Sequence, residues 1–129
     1  MGGALASIAS LSLKAHFPNT TVELFTYGQP RTGNARFADL LEDMVGSEHL
    51  YRGVHTFDGV PTIIPESLGY RHHSREYWQF EEPPNRLTVR QCTGQEDPDC
   101  SRSVPPTGIN VAHDVYFGQL MTVDATLCL

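Results

Sequence analysis

A carboxylate and a set of imidazoles sit where secondary-structure elements should end, and together they could move a proton. Asp58 directly follows the apolar run Leu50 to Phe57 and precedes Gly59, which leaves room around its carboxylate. In open parallel α/β sheets, ligands bind outside the carboxyl ends of the strands, so an acid at that point is placed for chemistry. Taken alone, Asp-Gly is also a common turn signal. Six histidines compete for the role of general base: His16, His49, His55, His72, His73 and His113. His16 ends a helical segment, where it can interact with the helix dipole. His49 reads as solvated and His55, inside a strand, as a satisfied core residue. His72 and His73 should point to opposite faces of an extended ribbon, which argues against both binding one metal ion. His113 follows a long polar loop that could deliver it to the face where Asp58 ends its strand. Histidine is the usual general base but is also common in structural roles, so spacing alone leaves His113 a candidate. The serines offer no evident nucleophile. Ser7, Ser10 and Ser12 lie along a predicted helix and Ser74 in a ribbon, and a nucleophilic serine needs its base within hydrogen-bond reach.

The elements that must position these groups follow from periodicity. Gly2 to His16 puts Leu5, Ile8, Ala9 and Ser12 on one helical stripe, suited to pressing against a sheet, and Pro18 and Asn19 stop it. Thr21 to Tyr27 is β-branched and aromatic and reads as a buried strand ending at Gly28-Gln29-Pro30. A second helix is capped by Asn34, carries Phe37, Leu40, Leu41 and Met44 at helical spacing, and ends at Gly46. The strand Leu50 to Phe57 completes a βαβ unit, which implies a parallel pair with a right-handed crossover. Glu76 to Phe80 and Leu87 to Gln91, separated by Pro83-Pro84-Asn85, predict an antiparallel ribbon at the sheet edge. Thr93 to Gly108 is a polar loop, and a last helix is expected to start near Ile109-Asn110 and run past Phe117.

Composition narrows the function classes. The 129 residues carry a formal charge of −6, with no basic run of the kind that follows a phosphate backbone, so nucleic acid is not an expected partner. No window approaches the roughly 20 apolar residues that span a bilayer, and the apolar opening Met1 to Leu13 lacks the basic n-region of a signal peptide. Cys92 and Cys100 flank a polar segment, a spacing that favours a loop-closing disulfide over a zinc site and leaves Cys128 unpaired. Asn19-Thr20-Thr21 is an N-glycosylation sequon. No pair of ligand residues shows a metal-site spacing, and no Gly-x-Gly-x-x-Gly follows a strand, so neither metal nor cofactor is expected.

Five motifs, in order, carry a resemblance that spacing could not supply. They are Met1-Gly2-Gly3-Ala4-Leu5-Ala6, Thr26-Tyr27-Gly28-Gln29-Pro30-Arg31-Thr32-Gly33-Asn34, His55-Thr56-Phe57-Asp58-Gly59-Val60-Pro61, the stretch Gly69 to Trp78, and His113 with Tyr116-Phe117-Gly118. The chain resembles the C-terminal half of the secreted fungal class 3 lipases, from residue 1 to residue 129. The implied fold is a partial α/β-hydrolase: the second half of a mostly parallel sheet with flanking helices and a short antiparallel ribbon. The resemblance makes Asp58 the triad acid and His113 the base, in the α/β-hydrolase order of serine, acid, histidine. It puts the catalytic serine immediately before Met1, whose backbone N–H would be an oxyanion donor, and makes Gly2 and Gly3 the elbow glycines. The expected partner is an ester, an acylglycerol or an aryl or feruloyl ester, met by the complete extracellular protein at a lipid-water interface in the first case. Without the serine, this chain alone is expected to be inactive, an internal methionine taken as the start being the simplest account. A noncatalytic interaction module derived from such an enzyme is the alternative.

Overall fold

The computed structural model describes residues 1–121. The chain runs α1 (Gly2–His16), β1 (Leu24–Tyr27), β2 (Gly33–Asn34), α2 (Ala35–Val45), β3 (Leu50–His55), β4 (Tyr70–Arg71), β5 (Glu76–Gln79), β6 (Val89–Gln91), β7 (Val115–Tyr116) and β8 (Gln119–Leu120). The main sheet has the order β1-β3-β5-β6. β1 and β3 are parallel, with Leu24 opposite Leu50, as the βαβ reading requires. β5 continues the parallel set against β3, and β6 returns antiparallel along β5 at the edge. Two short ladders, β2 with β4 and β7 with β8, pin the loops.

One face of this sheet meets both helices. Leu24, Leu41, Val45 and Leu50 form the buried apolar cluster, with Ala6 and Leu11 of α1 packed on it. α2 begins as its sequence requires, with the Asn34 side chain accepting from the Phe37 N–H at 3.0 Å, and it ends at Gly46 with φ +93°. On the other face Phe25 stacks on Tyr51 at 4.4 Å, and Tyr51 on Tyr77 at 5.9 Å.

Several elements differ from their sequence patterns, each for a local reason. α1 does not bury the stripe Leu5, Ile8, Ala9 and Ser12. Its buried residues are Ser7 and Ser10, while Leu5 is 62% and Ile8 50% exposed. Small side chains let the helix approach closely, and the two buried hydroxyls donate back to the carbonyls of Ala4 and Ser7 at 2.8 Å. The first strand starts at Leu24 and alternates, with Leu24 and Thr26 buried and Phe25 and Tyr27 exposed, because it lies at the sheet edge. β3 stops at His55, since Thr56 turns the chain with φ +36°. The last helix does not form. Asn110 caps a single 3-10 turn, Val111–Asp114, whose carbonyl and amide groups then pass to the hairpin β7-β8. Its two turn residues, Phe117 and Gly118, have φ of +50° and +75°, the signs a two-residue hairpin needs and a helix cannot accommodate.

Candidate active site

The turn after β3 is tied down before any functional side chain is placed. The Thr56 N–H donates to Gln79 O at 2.6 Å, the Trp78 indole donates to Thr56 O at 2.9 Å, and the Asp58 N–H donates to His55 O at 2.8 Å. Asp58 therefore leaves the strand end in one orientation, with its side chain fully buried. A positive φ at a non-glycine residue costs energy, so its occurrence two residues before Asp58 is strain held by surrounding contacts.

Asp58 collects three donors. Oδ1 accepts from the Val60 N–H at 2.9 Å, and Oδ2 faces both His113 Nδ1, at 3.1 Å, and the Tyr116 hydroxyl. Burial first, and then the hydrogen bond to Asp58, raise the Tyr116 pKa above the phenol range. Its hydroxyl thus keeps its proton and donates it to the carboxylate. With Nδ1–H of His113 directed at Asp58, the ring's Nε2 carries the free lone pair. His113 lines a cavity of about 350 Å³ together with Met1, Gly2, Gly3, Thr26 and Tyr27. The N-terminus of α1 and the His113 ring thus border the same space.

The segment bearing His113 is fastened at both ends. Asn110 donates from Nδ2 to Phe57 O at 2.9 Å and accepts the Ala112 N–H at 2.9 Å, and Thr107 donates to the same Phe57 carbonyl at 3.0 Å. His55 Nδ1 lies 2.8 Å from Ala112 O, and Gln79 Oε1 accepts the Phe117 N–H at 2.9 Å. The space at Gly59 is not left open around the carboxylate, contrary to the reading of its sequence position. A side chain there would overlap Gly108 and Thr107, so the glycine admits the incoming loop. Gly28, with φ +54°, plays the same part from the other side: a Cβ would collide with the Tyr116 hydroxyl and the His113 ring. Tyr116, Gly28 and Gln79 were not legible as site residues, because nothing in their local spacing reports a contact 38 to 88 residues away.

A family model described as lipase (class 3) matches residues 1–68. The chain belongs to the class 3 lipase family. It is 36% identical over 128 residues to secreted mono- and diacylglycerol lipase 1 of Fusarium solani, covering 95% of this chain and 36% of that protein. It is 35% identical over 123 residues to a lipase of Rhizomucor miehei, covering 92% and 32%. Among solved structures, the lipase of Rhizopus microsporus var. chinensis superposes with a TM-score of 0.81 at 32% identity, over 92% of this chain and 41% of that one. The chain thus spans about a third of the length of the curated relatives it matches.

Within this lipase-family chain the remaining histidines are structural. His16 Nδ1 sits 2.8 Å from Ser12 O at the end of α1, and His49 lies half-exposed near Glu23 and Glu48. His55 is satisfied on both nitrogens, by Ala112 O and, at 2.6 Å, by Glu82. His72 Nε2 donates to Pro61 O at 3.0 Å, while His73 faces Ser74 O and Gln29. Burial, reinforced by Arg52, lowers both pKa values, that of His73 to about 4. Cys92 and Cys100 form the expected disulfide, and Cys128 lies outside the described residues. The disulfide-closed loop delivers Glu96 to the buried Arg31, which grips it with two donors at 2.8 and 2.9 Å. Burial pushes the Glu96 carboxyl up, but the Arg31 hydrogen bond and the His72 N–H outweigh it and hold it low. The two glycines expected at an elbow differ: a side chain at Gly3 would press on Thr26 and Gln29, whereas one at Gly2 would meet open space. Among the described residues no serine hydroxyl is hydrogen-bonded to His113.

Proposed function

We propose that Asp58 and His113 are the acid and base of a serine ester hydrolase acting on acylglycerols, and that the nucleophilic serine directly precedes Met1 in the complete protein. The observation that carries this is the buried Asp58 carboxylate accepting from His113 Nδ1 while the ring borders the cavity at the N-terminus of α1. His113 Nε2 takes the serine proton as the hydroxyl attacks the ester carbonyl, and returns it to the departing alcohol. Asp58 fixes the tautomer and stabilises the imidazolium. Tyr116 supplies a second donor to the same carboxylate oxygen, which keeps that oxygen aimed at the ring. The backbone N–H of Met1 and the free N–H groups opening α1 face the developing oxyanion, with the helix dipole adding partial positive charge. Acylglycerol is favoured over feruloyl ester by the names of the relatives, and extracellular action by those named as secreted and by the Cys92–Cys100 disulfide.

Among the described residues no serine hydroxyl reaches His113, and this chain by itself is expected to hydrolyse no nitrophenyl ester above buffer. Turnover that survives His113→Ala would refute that expectation. A version extended upstream through a Gly-His-Ser segment and its preceding domain half should cleave emulsified long-chain glyceride in preference to methyl ferulate. If that extended protein binds glyceride but turns over neither ester, the noncatalytic reading takes its place.

A further inference from the structure

The turn between α1 and β1 lies at the end of α1 opposite the cavity. Fifteen residues separate its two ends, about 22 Å at the helical rise. Phe17-Pro18-Asn19-Thr20-Thr21 is exposed throughout, and Phe17 is 58% accessible although it is aromatic. The Thr20 N–H donates to Phe17 O at 3.0 Å, closing a four-residue turn with Asn19 at its third position. Lys14 Nζ ties the turn's backbone to α1 through Pro18 O, at 3.1 Å, and Thr20 O, at 3.0 Å. The side chains of Asn19 and Thr21 make no hydrogen bond among the described residues. Asn19-Thr20-Thr21 is the sole Asn-x-Ser/Thr sequence among the 129 residues.

We infer that Asn19 is an N-glycosylation site and that the Phe17 ring is the platform for its first sugar. An acceptor sequon must offer a free amide and a free hydroxyl two residues on, in a turn an enzyme can grasp, and this segment meets each condition. Placing the aromatic ring two residues before the asparagine, on the same turn, sets an electron-rich face beside the attached pyranose, whose C–H groups carry partial positive charge. In the transfer, Asn19 Nδ2 bonds to C1 of N-acetylglucosamine and gives up one proton, which passes to solvent. The bond from C1 to the diphosphate of a lipid-linked oligosaccharide breaks, and the lipid diphosphate leaves with the electron pair. The glycan then shields Phe17 and stands clear of the cavity. Its occurrence in the native setting rests on the extracellular destination proposed above, but the acceptor capacity does not.

The test separates the two. The full chain, fused to a secretory leader, is translated with endoplasmic-reticulum microsomes alongside a known glycoprotein. One mobility shift, removed by endoglycosidase and lost completely in Asn19→Gln and in Thr21→Ala, is the expected result. Phe17→Ala should lower occupancy by about twofold or more, the scale of one stacking contact. Protease-protected chain without a shift, or a shift that persists in Asn19→Gln, overturns the site. Equal occupancy in Phe17→Ala overturns the platform. None of these readouts depends on ester hydrolysis.

Discussion

The two walls of the cavity are built by different means. The wall carrying His113 and Tyr116, with Asp58 buried behind it, is assembled from residues far apart in the chain and fixed by polar contacts: Val60 on Asp58, Asn110 on Phe57, His55 on Ala112 and Gln79 on Phe117. The other wall is the opening turn of α1, where Met1 is 88% exposed, no side chain caps the helix, and a side chain added at Gly2 would meet nothing within 4 Å. One wall holds preorganised side-chain chemistry. The other contributes backbone N–H groups and space. Under the proposed function, the first wall would supply the acid and base, and the second the N-terminal end of a helix.

Substitutions can break that contrast. The largest effect should come from Asp58→Asn in the catalytically complete protein. Loss of the charge that orients His113 should lower kcat by about 10⁴-fold with substrate binding little changed, which steady-state kinetics will resolve. Below the acid wall, Arg52 and Glu76 form a buried pair at 2.8 Å. Glu76→Gln leaves the guanidinium buried without its counter-charge and should cost about 3–5 kcal/mol in urea unfolding. The glycines sharpen the comparison directly. Gly28→Ala places a methyl against Tyr116 and His113 at a positive φ, and should destabilise by about 1–3 kcal/mol while shifting the His113 ring resonances in NMR spectra. Gly2→Ala, on the open wall, should stabilise by about 0.5–1 kcal/mol through helix propensity.

Acid provides a smaller, graded test. His72 and His73 are buried, with pKa values depressed below the usual 6.5, so the unfolded chain binds protons that the folded chain excludes. Stability is complete above pH 6.5 and falls as pH drops from 6.5 toward 4, by about 1.4 kcal/mol per pH unit for each histidine. Urea midpoints measured at pH 7 and pH 5 will give the slope, and His73→Gln should halve it. A pH-independent midpoint would mean that neither ring is excluded from protonation.

Much of this architecture was readable in the chain. The βαβ unit, the Asn34 cap, the Gly46 stop, the edge ribbon and the Cys92–Cys100 bridge depend on residues near one another in sequence, where periodicity, capping and loop-closing spacing act directly. The elements that departed are those whose environment is set from outside. α1 has apolar and small faces of comparable helical fit, and the helical period does not say which of them meets the sheet: Ser7 and Ser10 are buried, Leu5 and Ile8 are not. The segment after Asn110 has helical spacing, but Gln79 captures its Phe117 N–H and holds it in a hairpin.

By itself, the sequence determined which residues could perform acid-base chemistry and, through five ordered motifs, the family that uses them. Tertiary structure alone decided that Asp58 serves His113 and Tyr116 through one oxygen, that His55 and Gln79 clamp the segment bearing His113, and that Gly28 and Gly59 make room for it. Local pattern reports the conformational preference of a few neighbouring residues. Hydrogen-bond partners across 38 to 58 positions exist only once the sheet has brought the strand ends together.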